Sequence, residues 1–224
     1  MAKFEIDGIQ LDVPDDILVP NIRAKLEAGR YEGSEARAAR TSVKQGDRVL
    51  EFGAGLGYIA CICARLCGPE NVVTIEASPA MIDVIRGNLD QNGYEKATLL
   101  QGAVTGEPYG PDLISFTQAP AFWASSLTKD GQRGDLVDVP VLRLDDLLEQ
   151  YQPTVVIMDI EGAEQTMFDA PWPAYIRVVL VELHPKVYGA DVIKRIVDCM
   201  SESGLTYAPF LSRGAMIGFQ RVKT

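Results

Sequence analysis

Apolar positions along this chain change their period several times, and each change marks an element. Phe4-Glu5-Ile6 and Ile9-Gln10-Leu11-Asp12-Val13 alternate apolar with polar, as strands with one wet face do. Asp7-Gly8 between them is a favoured pair for a two-residue type I′ turn, so a hairpin is expected. A helix is expected from Pro14-Asp15-Asp16 through residue 28, with acids at its positive end. Gly29-Arg30-Tyr31-Glu32-Gly33 breaks it, in a turn that could reach a bound ligand. Ser34 is placed to cap a second helix over 35–43, and Gly46-Asp47 turns the chain into the next strand.

From Val49 onward, strand-like and helix-like stretches alternate. Val49-Leu50-Glu51-Phe52 runs through Gly53-Ala54-Gly55-Leu56-Gly57 into an apolar helix over 58–66. Val72-Val73-Thr74-Ile75-Glu76 is the second strand, and Ser78-Pro79 opens a helix that Asn92-Gly93 ends. A third strand is expected over 97–104. Residues 112–117 and 136–141 read as extra strands around a loop carrying Phe122-Trp123-Ala124-Ser125-Ser126, which could line an acceptor pocket or simply pack. A short helix begins at Leu144-Asp145-Asp146. Residues 154–158 and 178–183 are almost continuously apolar, as central parallel strands buried on both faces are. A helix over 190–203, stopped by Gly204, leads to a closing antiparallel hairpin of 205–211 and 215–221. The pattern predicts an α/β fold, a Rossmann-like three-layer sandwich. Residues 1–45 would pack as a hairpin and helices on a core of 46–224, in one compact domain overall.

Composition narrows the partners. The 224 residues suit one α/β domain. Lys plus Arg number 21 against 31 Asp plus Glu, a net charge of −10, which repels phosphate backbones and argues against nucleic acid. Cys61, Cys63 and Cys67 share one apolar stretch and, with Cys199, read as small buried apolar residues rather than disulfides or zinc ligands. No run is long enough to span a bilayer and none reads as a signal peptide, so a reducing cytoplasmic setting without membrane attachment is expected.

The chemistry centres on the glycine turn. Glycine permits positive φ and lets backbone approach a ligand closely. About 20 residues further, Glu76 ends its strand where a carboxylate can accept both hydroxyls of an adenosine ribose. Gly55-Leu56-Gly57-Tyr58-Ile59-Ala60 also fits the dinucleotide pattern G-x-G-x-x-G/A, so an NAD(P)-dependent oxidoreductase is an alternative. Glu51, two residues before the first glycine, would repel a diphosphate but suits the ammonium of S-adenosylmethionine. The residues expected to meet the cofactor are Glu51, Gly53, Ala54, Gly55, Gly57, Glu76, Ala77, Ser78, Ala103, Val104 and Asp159. Ala103 stands where an Asp often binds the adenine amine.

Further along, Val155-Val156-Ile157-Met158-Asp159-Ile160-Glu161-Gly162-Ala163-Glu164 resembles the I-x-D-x-E-G-x-E signature of FkbM-type methyltransferases. Val139 and Val141 before Leu144-Asp145-Asp146-Leu147, and Val181-Glu182 with His184, are similar to that family as well. The resemblance spans residues 31–185. It implies a class I methyltransferase fold: a seven-stranded, mostly parallel sheet whose last strand is antiparallel. It also implies S-adenosyl-L-methionine as cofactor, S-adenosylhomocysteine as product, and O-methylation of a hydroxyl on a sugar or other small molecule. The chain is short for the family and leaves little room for a separate substrate domain.

Methyl transfer needs a group to take the acceptor's proton. Asp159, Glu161, Glu182 and His184 are the candidates. His184 is the sole histidine, and its ordinary pKa suits a base near neutrality, although a hydrogen-bonded structural role before Pro185 fits equally. Glu164 reads as a stabiliser of the next helix terminus. The same carboxylates with His184 could bind Mg²⁺, although no ligand spacing demands a metal. A cofactor-binding protein without catalysis is the remaining alternative.

Overall fold

Asp7 and Gly8 both take positive φ, 51° and 72°, and join strands β1 (Ala2–Ile6) and β2 (Ile9–Val13) in the expected antiparallel hairpin. The computed structural model of the chain describes residues 1–118, 126–127 and 135–222. Helix α1 (Pro20–Glu27) begins later than expected. A helix running from Pro14 would place Pro20 in its interior, where the ring removes a donor and clashes with the preceding turn, so Pro20 starts the helix instead. Asp15 pairs with the terminal ammonium of Met1 at 2.6 Å. Helix α2 (Gly33–Ser42) follows a left-handed residue, Glu32 at φ 45°, and Ser34 lies inside this helix rather than capping it.

The main sheet has the order β12-β13-β11-β10-β3-β4-β5. Its strands are β3 (Val49–Phe52), β4 (Val72–Glu76), β5 (Thr98–Gln101), β10 (Val155–Met158), β11 (Val178–Glu182), β12 (Leu205–Tyr207) and β13 (Met216–Arg221). The strands β3, β4, β5, β10 and β11 pair parallel; β13 runs antiparallel to both β11 and β12, so β12 has the same sense as those five. The expected closing hairpin is therefore present, and its last strand inserts beside β11. Strand order reverses between β3 and β10, the switch point at which an open α/β sheet leaves a crevice.

Alternate residues of each central strand enter different layers. Val49, Val155, Ile157 and Leu180 face α2, α3 (Tyr58–Cys67), α4 (Pro79–Gln91) and the amino-terminal hairpin, all in one apolar cluster. Leu50, Phe52, Val156 and Val179 face α5 (Leu144–Tyr151) and α6 (Ala190–Glu202). Burial on both sides is why these strands read as unbroken apolar runs. The four cysteines are free and buried, and burial pushes the Cys61 thiol up to about 12.

The expected strand over 97–104 is two strands. It breaks at Gly102, whose N–H bonds the carbonyl of Glu76 at 2.9 Å. A Cβ there would sit 2.7 Å from Leu142 and 2.9 Å from the carbonyl oxygen of Pro140, so a crossing strand ends β5. That strand is β9 (Asp135–Arg143), which pairs parallel with β6 (Ala103–Thr105) and antiparallel with β7 (Leu113–Gln118). With β8 (Ser126–Leu127) they form a second sheet, β6-β9-β7-β8. The two extra strands read from the sequence are thus present in a sheet of their own. Phe122, Trp123, Ala124 and Ser125 lie outside the described residues. Among the described residues, no helix is long and apolar enough to cross a membrane.

Candidate active site

A cavity of about 770 Å³ opens at the carboxyl ends of β3, β4 and β10, the switch point of the sheet. Its floor is the glycine turn. Gly53 takes φ 88° and its N–H bonds the carbonyl of Ile75 at 2.9 Å. A Cβ on Gly53 would lie 1.8 Å from the backbone oxygen of Asp159, so this glycine is required first by the close approach of the β10 end. Gly57, at φ 78°, precedes α3. Glu76 ties the turn together: its Oε2 accepts the Gly55 N–H at 3.2 Å and its Oε1 the Ser78 N–H at 2.8 Å. Burial raises the Glu76 pKa against these backbone donors, which lower it. Gly53, Gly55, Glu76, Ala77, Ala103 and Val104 all line the cavity. Ala54 and Ser78 are buried, at 1 % and 2 % exposure, and do not line it.

Glu51 departs from its expected place. It is 2 % exposed, accepts the Thr74 hydroxyl at 2.5 Å, and is not among the lining residues. Its position in β3 shares the face of Val49, so the pleat turns it into the helix layer rather than toward a ligand ammonium. Burial pushes it up to about 8, which keeps the carboxyl protonated at neutral pH.

The opposite wall is acidic. Asp159 follows β10 and donates its N–H to the Phe52 carbonyl at 2.9 Å. Glu161 sits at φ 53°, and Glu182 and His184 stand at and just beyond the end of β11. All four expected catalytic candidates line the cavity. His184 Nε2 lies 3.5 Å from Asp159 Oδ1 and 3.4 Å from Glu161 Oε2. Carboxyl oxygens of Glu35, Asp159 and Glu182 come within 4.8 Å of one another. Burial pushes Glu35 up to about 7 and Asp159 up to about 6, and raises Glu161 and Glu182. Burial opposes the charge on His184, but the hydrogen bond and charge of Glu164, with the charges of Asp159 and Glu161, lift it to about 9. At neutral pH the ring therefore carries its proton, and Nε2 cannot accept another. Asp159 Oδ1 is buried without a hydrogen-bond partner among the described residues, an oxygen free to receive one. Carboxylates with one imidazole are also a donor set that a divalent cation could occupy.

The Tyr31–Ser34 turn does reach the cavity, and it brings Glu35 with it. Glu35 escaped sequence reasoning because nothing in its local pattern places α2 against β11. Glu164 does more than stabilise a helix end. It is fully buried and bonds Gly162, Tyr188 and His184, contacts set by loop packing rather than by spacing.

The family model described as Methyltransferase FkbM domain matches residues 33–204. The protein-L-isoaspartate O-methyltransferase of Ignicoccus hospitalis is 36% identical over 105 residues, covering 44% of this chain and 49% of that protein. The protein of the same name from Methanococcoides burtonii is 30% identical over 121 residues, 51% of this chain and 56% of that protein. The chain spans about half the length of the curated relatives it matches. Among solved structures, the precorrin-6y C5,15-methyltransferase from Geobacter metallireducens aligns with a TM-score of 0.50 and 13% identity, over 95% of this chain and 94% of that one. At that identity the likeness is one of fold.

Proposed function

The chain belongs to the Methyltransferase FkbM domain family, and on that premise we propose that it transfers the methyl group of S-adenosylmethionine to a hydroxyl of a small molecule or sugar. The observation that carries this reading is the two-sided cavity: Glu76 beside the glycine turn on one wall, and Asp159, Glu161, Glu182 and Glu35 on the other. The residues fit such a cofactor. A strand-end carboxylate suits ribose hydroxyls, the Ala103 and Val104 wall suits a base, and an acidic wall suits a sulfonium charge. The same acidic wall disfavours the diphosphate of a nicotinamide dinucleotide.

When bound, S-adenosylmethionine supplies an electrophilic methyl group. Glu76 binds and orients at the ribose end, and Gly53 and Gly55 leave the backbone open to the ligand. Asp159 would take the acceptor's hydroxyl proton at Oδ1. Imidazolium His184 beside it steadies the ionised form of Asp159 before transfer. Residues 31–35 line one side of the cavity. The named relatives are isoaspartate O-methyltransferases, so a peptide carboxyl is a second acceptor class. An ionised carboxyl acceptor would face several carboxylates here, which favours the neutral hydroxyl.

Calorimetric titration with S-adenosylhomocysteine and, separately, NADH tests the cofactor. Labelled S-adenosylmethionine then screens hydroxylated small molecules, sugars and an isoaspartyl peptide. Binding of S-adenosylhomocysteine with methylation of a hydroxyl acceptor supports the reading. Binding of NADH alone overturns it, label on the peptide alone reassigns the acceptor, and cofactor binding without transfer to any acceptor points to a non-catalytic binding protein.

A further inference from the structure

Glu164 makes no contact with the cavity, yet it holds the residue that does. It lies in the 3-10 turn Ala163–Thr166 and is fully buried. Its Oε1 accepts the Tyr188 hydroxyl at 2.6 Å and stands 2.8 Å from His184 Nδ1, and its Oε2 accepts the Gly162 N–H at 2.8 Å. Tyr188 closes the ring of contacts, because its oxygen accepts the backbone N–H of His184 at 2.8 Å. Gly162 is what lets the turn fold this tightly: it takes φ 103°, and a Cβ there would lie 2.5 Å from the Val187 side chain. The carboxyl thus meets donors from three directions, and a carboxylate can only accept. Nδ1 must then carry the hydrogen that joins the ring to Glu164. That leaves Nε2 turned to Asp159 and Glu161, with the His184 side chain only 15% exposed.

We infer that Glu164 is a positioning residue that fixes His184 with its Nδ1–H turned inward, so that Nε2 is the one imidazole nitrogen that exchanges a proton with the cavity. What this exchange serves rests on the methyl-transfer reading; the arrangement itself does not. The fixed ring keeps its Nε2 charge aimed at Asp159, the proton acceptor of that reading. The groups that face His184 are Glu164 from the 3-10 turn, Asp159 and Glu161 from the end of β10, Glu182 from β11, and Tyr188 from the turn after β11. The negative charges of Glu164, Asp159 and Glu161 outweigh burial and favour the protonated ring.

Because His184 is the single histidine of the chain, ¹⁵N-histidine labelling reads it without ambiguity. In the cofactor-free protein the Nδ1-bound hydrogen should persist as pH rises and Nε2 loses its proton. Glu164→Gln removes the charge and keeps the shape. It should mix the two neutral tautomers of His184. Tyr188→Phe keeps the Glu164–His184 contact and should retain the Nδ1–H form. A neutral wild-type ring with its hydrogen on Nε2 overturns the inference. So does a folded Glu164→Gln protein with an unchanged tautomer. Should that variant not fold, the wild-type and Tyr188→Phe spectra decide alone. Adding S-adenosylhomocysteine separates the two readings. Failure to bind removes the methyl-transfer reading and leaves the tautomer result standing.

Discussion

A methyl group on Gly53 would lie 1.8 Å from the backbone oxygen of Asp159. The first glycine of the turn and the strand-end acid of the opposite wall are thus bound to one another by a backbone contact across β3 and β10. Gly53→Ala must push these strand ends apart and also adopt φ 88°. It should destabilise the protein by about 3 kcal/mol, as overpacking and backbone strain together do. Urea unfolding at neutral pH measures this, and an unchanged midpoint would refute the contact.

Asp47 and Arg177 tie the start of β3 to the start of β11. Asp47 is 3 % exposed and accepts bonds from Arg177, the Lys44 N–H and Thr154. Burial raises its pKa, but these bonds outweigh burial and hold it below the ordinary value. A depressed pKa contributes stability that is present above the unfolded carboxyl pKa and lost as pH falls through the folded one. Asp47→Asn should therefore cost about 2–3 kcal/mol at pH 7, less than a fully buried pair because Arg177 is partly exposed. The difference from wild type should shrink toward pH 3, read by urea unfolding at both pH values.

Glu51 has the opposite sign. Burial lifts it to about 8, so the folded state binds a proton that the unfolded state releases near 4.5. Its contribution to stability is full below the unfolded pKa and declines as pH rises through the folded one. Glu51→Gln should flatten part of the decline in unfolding free energy between pH 5 and pH 8. An identical slope in wild type and variant would show that Glu51 ionises freely in the fold.

Glu76→Gln should weaken S-adenosylhomocysteine binding by about 1.5–3 kcal/mol, the range for hydrogen bonds to a charged group. Calorimetry reads this directly. Equal affinity would move the ribose away from the end of β4.

Asp159→Asn should lower turnover about 10²-fold or more while S-adenosylhomocysteine affinity stays within a few-fold. The wild-type rate should rise with pH through about 6, as Asp159 loses its proton, and fall through about 9, as His184 loses its own. A rate profile flat between pH 5 and pH 8, measured on an acceptor found by the label screen, would remove Asp159 from this role.

Much of this architecture is readable in one dimension because local rules govern it. Asp7-Gly8 can hardly do other than turn, the doubly buried strands β10 and β11 have nowhere to place polar side chains, and three alternating glycines after β3 mark the strand-to-helix turn. Glu76 at its strand end, and the cluster of ionisable residues over 159–164 and at 182 and 184, follow from the same reading. Where the structure departs, a distant partner decides. Pro20 vetoes a helix that acids at 15 and 16 appear to open. Gly102 ends a strand because Leu142 and the Pro140 carbonyl, some forty residues on, cross beside it.

Side-chain direction is the deeper divide. Periodicity along the chain determined which segments are strands and which ends carry acids, because burial and backbone sterics act within a few residues. Tertiary structure alone decided that the pleat hides Glu51 in the helix layer, that α2 carries Glu35 to the cavity, and that Glu164 holds His184 rather than only a helix end. Each of these turns on which face meets which neighbour, and that is set by packing between segments far apart in sequence, where local preference has no say.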